Sequence, residues 1–194
     1  MIDTRQKKSA LQAEAGFTLI ETVVVVFLFS LILVALSGLL DRHNYLYNFE
    51  VSLTKATGSA RQAIDQIDTY SLQAHRVLAS QVISGTTYNS GATVLVLQLP
   101  AINSSGLIIA NTWDYVVFYT NGTQLWQQIQ AGSGSVRATG SKLLSSSLQS
   151  LAFTYNNNSF PSVKKISIDL QTREVYKTQN INFHLEQQVL LRNY

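Results

Sequence analysis

The sequence predicts an α+β fold in which one long amino-terminal helix covers one face of an antiparallel sheet. Three observations predict it. No proline interrupts residues 17–83, which pass from a wholly apolar run to a stripe of apolar positions spaced three and four apart. From residue 92 onward the chain changes to short runs rich in β-branched and aromatic residues, bounded by Gly, Asn and Ser. Two of those runs flank "TNGT", a strong hairpin signal.

In chain order, residues 1–16 carry Arg5, Lys7 and Lys8 against Asp3 and Glu14. From Thr22 to Leu40 there is no charge, and a helix of that composition covers roughly 30 Å, about one hydrocarbon thickness. Beyond it the nearest acid, Asp41, stands beside Arg42, so the positive-inside rule places residues 1–16 in the cytoplasm and the carboxy-terminal part outside. A cleaved secretory signal fits poorly, because the apolar run is too long and no A-x-A site follows Leu40. A generic single-pass anchor fits the hydropathy but leaves Glu21 without a reason. An acid costs roughly 2.5–3.5 kcal/mol near mid-membrane, less at the interface, and usually marks a functional partner.

The stretch "GFTLIE", Gly16 through Glu21, directly ahead of the apolar run, resembles the class III signal of type IV pilins and type II secretion pseudopilins. The resemblance covers about the first 40 residues. It implies that a prepilin peptidase cuts between Gly16 and Phe17, that the new Phe17 amine is N-methylated, and that residues 17–40 are retained as a transmembrane and polymerisation helix. Glu21 then becomes the fifth residue of the processed chain, placed for an assembly salt bridge to the terminal ammonium of a neighbouring subunit. Implied partners are the prepilin peptidase, other pilin or pseudopilin subunits, an inner-membrane assembly platform and the lipid bilayer. The implied location is the inner membrane, with the head outside and a filament after assembly. The implied architecture is a pilin-like fold. Departures are Gly38 where many major pilins have proline, Ser30 where many have glycine, and no carboxy-terminal cysteine pair. The succession "VLVLQLP", "DYVVFY", "LWQQI", "LAFTY", "KKISIDL" and "VLLRN" is similar to W-type minor pilins and J-type pseudopilins, which favours a minor subunit.

Residues 41–83 read as an amphipathic continuation of the helix, with Leu46, Phe49, Leu53, Ala56, Ala60, Ala63, Ile67, Ala74 and Leu78 on its inner stripe. Two separate helices would satisfy the same periodicity. Residues 84–194 read as a β-rich head. Its strands are "ATVLVLQLP", the hairpin over 113–130 with a type I′ turn at Asn121-Gly122, "SLAFTYNN", and two half-buried strands. Those two turn Ile166, Ile168 and Leu170, then Ile181, Phe183 and Leu185, inward.

Other chemistry is scarce. Without cysteine there is no disulfide or thiolate site. His43, His75 and His184 have no metal-ligand spacing and read as satisfied or solvated, so neither metal nor cofactor is expected. Asp65 and Asp68 share a helix face without an EF-hand-like set of oxygens. No nucleophile-elbow, zincin, P-loop or dinucleotide motif occurs, and "AGSGSVRATGSK" reads as a flexible loop. An enzyme is not expected. Charged residues make up only 13% of the chain and Lys164-Lys165 is the one basic doublet beyond the leader, a pattern of edge-strand protection and not of a nucleic-acid surface. The competing class is a monomeric, single-pass membrane-anchored extracellular binding module.

Overall fold

The computed structural model describes residues 16–192. Residues 1–15 of the expected 1–16 leader, with the charges Arg5, Lys7, Lys8, Asp3 and Glu14, lie outside the described residues. The chain divides into two units, Met1–Leu46 and Tyr47–Tyr194, taken here in turn.

The first unit is helical. Helix α1, Leu19–Gln73, begins in it and runs without a break into the second unit. Every described residue up to Asn44 is exposed. Hydroxyls on this stretch bond to their own helix: Ser30 Oγ donates to the Val26 carbonyl at 2.7 Å and Ser37 Oγ to the Leu33 carbonyl at 2.9 Å. Such internal satisfaction is what a helix in hydrocarbon requires of its polar side chains. Helix α1 is long and apolar enough, by length and composition, to cross a membrane. It continues through Gly38, where a Cβ would meet nothing within 4 Å.

In the second unit α1 lies against two antiparallel sheets. Strands in chain order are β1 (Arg76–Val77), β2 (Ser80–Ile83), β3 (Thr86–Asn89), β4 (Val94–Ile102), β5 (Ile108–Asn121), β6 (Gln124–Gln130), β7 (Gly140–Ser145), β8 (Leu148–Tyr155), β9 (Lys165–Tyr176) and β10 (Gln179–Leu190), with a short 3-10 turn at Phe160–Ser162. One sheet has the order β1-β4-β5-β6-β7, the other β10-β9-β8, and β2-β3 form a separate hairpin.

Burial explains why these residues choose these elements. The stripe Ala56, Ala60, Ala63 and Ile67 is fully buried, and the small side chains allow the helix backbone close to the sheets. Hydroxyls from both sheets reach α1: Thr172 Oγ1 on β9 donates to the Ala56 carbonyl at 2.9 Å, and Ser145 Oγ on β7 lies 3.4 Å from Ser59 Oγ. The upper end of the expected stripe, Leu46 and Leu53, is exposed. On β4, Leu95, Leu97 and Leu99 join the main core, whereas Val96 packs with Ile83 and Val117 in a second cluster that Tyr88 of β3 helps to cover. Both faces of β4 are therefore covered, which is why "VLVLQLP" is apolar but for Gln98, whose side-chain oxygen accepts from Arg76. On β9, Ile166, Ile168 and Leu170 are buried as the alternation predicts, and Ile181 is buried on β10 with Phe183 and Leu185 packed against the core.

Three expectations are corrected. The helix ends at Gln73, ten residues short of residue 83. There β4 captures the backbone: His75 N–H donates to the Gln98 carbonyl at 2.8 Å and Leu78 N–H to the Val96 carbonyl at 3.0 Å. The turn joining β5 to β6 is centred on Gly122 and Thr123, and only Gly122 has positive φ, at 59°, so it follows the II′ pattern. The I′ pattern, positive φ at both central residues, occurs instead at Ser84 (49°) and Gly85 (84°) between β2 and β3. Finally, β9 is the central strand of its sheet, so Lys164-Lys165 guards no edge, and both backbone N–H groups donate to Asn156 Oδ1 at 3.0 Å.

Candidate functional site

Gly16, Phe17 and Thr18 lead into α1, with Phe17 78% exposed. Thr18 is placed as the helix cap, its Oγ1 accepting the Glu21 backbone N–H at 3.3 Å. Together Thr18 and Glu21 have the T-x-x-E spacing of a capping box, and the Thr18 half of it is formed. A carboxylate in the first turn also complements the helix dipole, a gain of typically 0.3–1 kcal/mol at an exposed helix end. Glu21 therefore has a local function in starting the helix. The spacing is readable in "TLIE", although an acid beside hydrocarbon points first to a partner and hides this local role. The dipole gain is smaller than the cost of an acid near mid-membrane, so the cap offsets only part of it.

Gly16 has no such local reason. Its φ is not left-handed, and an added Cβ would meet nothing within 4 Å. Whatever demands glycine at this position lies outside the fold. The same holds for the apolar surface that follows. Phe27, Phe29, Leu31 and Ile32 are each at least half exposed, part of an unbroken apolar surface on all sides of the helix. A surface of that kind is covered by lipid or by other helices.

The head holds a polar cluster that sequence reasoning missed. Asp114 on β5 is fully buried and ion-paired to Arg137 Nη1 at 2.5 Å. It also accepts the Gly132 N–H at 2.7 Å and the Ser135 hydroxyl at 2.8 Å. Arg137 further donates to the Pro100 carbonyl and to Gln73 Oε1, both at 2.8 Å. Of residues 131–142, expected as a flexible loop, 131–139 are thus tied to β5 by the Asp114 carboxylate and to β4 and the end of α1 by the Arg137 guanidinium, and Gly140 onward is strand β7. Gly132 is required there, since a Cβ would lie 2.7 Å from the Trp113 carbonyl oxygen. Both carboxylate oxygens are thus taken up by donors of this loop.

The histidines separate. His43 is exposed on α1, and His75 stacks on Trp113 with ring centroids 5.0 Å apart. His184 lies on the outer face of the β9-β10 hairpin, as expected, but it is not merely solvated. Its Nε2 lies 2.9 Å from Asp169 Oδ1 and 3.6 Å from Glu186 Oε1. The expectation of no metal-ligand grouping rested on spacing among histidines. Strand pairing instead joins His184 to an acid fifteen residues away. Asp65 and Asp68 gather no third ligand among the described residues. Burial raises the Tyr155 hydroxyl pKa far above its ordinary value, and that hydroxyl donates toward the carbonyls of Gly91 and Val94 at 3.0 and 3.2 Å.

Among known families, the prokaryotic N-terminal methylation motif matches residues 11–37. The match supports a type IV pilin-class prepilin leader at the amino terminus and points to a structural protein. Comparison with curated proteins and with solved structures gives no match.

Proposed function

We propose that this chain is a minor subunit of a type IV pilus or a type II pseudopilus, made as a prepilin and polymerised through α1. Prepilin peptidase removes residues 1–16 by cutting between Gly16 and Phe17, and the Phe17 amine is methylated. Residues 17–40 hold the subunit in the inner membrane, residues beyond 40 continue the helix into the head, and the head lies outside the cytoplasm. During assembly the Glu21 carboxylate pairs with the Phe17 ammonium of a neighbouring subunit, and the apolar helix surface passes from lipid to helix contacts. The minor-subunit reading rests on the strand succession and on the absence of a carboxy-terminal cysteine pair.

The observation that carries this reading is the exposed apolar stretch of α1 that follows Glu21, itself in the helix's first turn and five residues after a glycine the fold does not need. A charge at that place is costly in lipid unless something pairs with it. The terminal ammonium of a neighbouring subunit is such a partner. Mass spectrometry of the protein purified from its own membranes tests the proposal. A chain beginning at methylated Phe17 supports it; a chain still beginning at Met1 overturns it in favour of an anchored monomer.

A further inference from the structure

The outer face of the β9-β10 hairpin carries a ligand set that the polymerisation of α1 does not explain. Asp169 and Glu186 are directly opposed in the β9-β10 register, and His184 stands two residues from Glu186 on the same face. Like charges directly opposite each other across a strand pair are destabilising. Among the described residues, the ion pairs that reach these carboxylates both come from His184. One imidazole therefore faces two carboxylates.

We propose that Asp169, His184 and Glu186 form a binding site for one first-row divalent cation of the Zn²⁺ class. One ligand atom from each side chain lies within 4.8 Å of the others. Metal–ligand bonds of about 2.0–2.2 Å in a tetrahedral site set ligand atoms roughly 3.3 Å apart. The observed 2.9 and 3.6 Å from His184 Nε2 to the two carboxylates bracket that spacing, so small side-chain rotations complete the chelate. Imidazole with carboxylates selects Zn²⁺ and its neighbours over the oxygen-seeking Ca²⁺ and Mg²⁺. The ligands stand on regular paired strands, which fixes their relative positions before an ion arrives. A shallow groove of about 400 Å³ adjoins the two carboxylates, lined also by Ala152, Thr154, Ser167 and Gln188. The fourth coordination position opens toward solvent there and takes water or an outside donor. Bound metal ties β10 to β9 and stabilises the head by mass action.

The test uses the untagged full-length chain in detergent micelles, titrated with Zn²⁺ by calorimetry and with Co²⁺ by absorption spectroscopy. Expected are one equivalent bound, the intense visible bands of tetrahedral Co²⁺, and a head melting temperature that rises with Zn²⁺. His184→Gln and Asp169→Asn should each weaken binding by at least about tenfold while melting like the unmodified protein without metal. His43→Gln should bind as the unmodified protein does. Unchanged Zn²⁺ affinity in His184→Gln, displacement of Zn²⁺ by equal Ca²⁺, or no saturable binding at micromolar metal would each overturn the proposal.

Discussion

Helix α1 is one element governed by two different environments. Its stretch from Thr22 to Leu40 is apolar on every side and exposed throughout, while Ala56, Ala60, Ala63 and Ile67 form a narrow, fully buried stripe. In the second stretch the burying surface is the chain's own two sheets, so size matters at each position and alanine allows close approach. In the first stretch nothing among the described residues buries the side chains, so composition matters and individual size does not. Helix-forming backbone is common to both. The difference lies in what each was built to touch, and mutations should separate accordingly.

The largest effect expected is on assembly. On the proposed function, Glu21→Leu leaves membrane insertion, processing and head stability intact but abolishes incorporation into filaments, as a filament pull-down with processed-chain mass spectrometry will read. Normal incorporation of that variant would break the comparison. Thr18→Ala sharpens it, because it removes the cap at a cost of about 0.5–2 kcal/mol of helix stability yet keeps the charge, and it should still assemble.

Next are the head variants, which should affect folding alone. Asp114→Ala leaves Arg137 buried without its partner and should cost about 3–5 kcal/mol, measured by thermal or urea unfolding of the detergent-solubilised chain. Ile67→Ala leaves a cavity under both sheets and should cost about 2–5 kcal/mol. The matching change in the exposed stretch, Ile32→Ala, should leave the head's unfolding within about 0.5 kcal/mol of the original. Equal losses from Ile67→Ala and Ile32→Ala would mean that the two stretches are not differently buried.

The smallest effect is confined to alkaline solution. Tyr155 is protonated in the folded head with its pKa raised by burial, whereas in the unfolded chain it titrates near 10.0. Its contribution to stability is fully present below that pH and falls away as pH rises beyond it. Tyr155→Phe should therefore flatten the decline of stability above about pH 10, at the cost of the two hydrogen bonds to Gly91 and Val94. An unchanged alkaline slope would count against the raised pKa.

Some of the fold was legible because it depends on local pattern. The alternation at Ile166, Ile168 and Leu170 fixes which face of β9 turns inward, since a one-residue slip would expose all three. The alanine and isoleucine stripe of α1 announces a helix against a flat partner. Helix termination at Gln73 was not legible, because it depends on carbonyls of β4, more than twenty residues away. Nor was the ordering of residues 131–139. Their glycines and serines look mobile until Asp114 and Arg137 are seen to meet, and those two are separated by a hairpin.

The sequence by itself determined the amino-terminal segment of this protein, about the first 40 residues. Leader, glycine, capping threonine, acid and apolar run act through neighbours on one helix and through an environment outside the chain, so their order suffices. Only the tertiary structure decided the head's particulars. It placed a lone carboxylate under a loop and set His184 beside Asp169 and Glu186. Strand pairing joins residues that sequence separates, and an ionisable group acquires its role from whichever side chain the sheet sets opposite it.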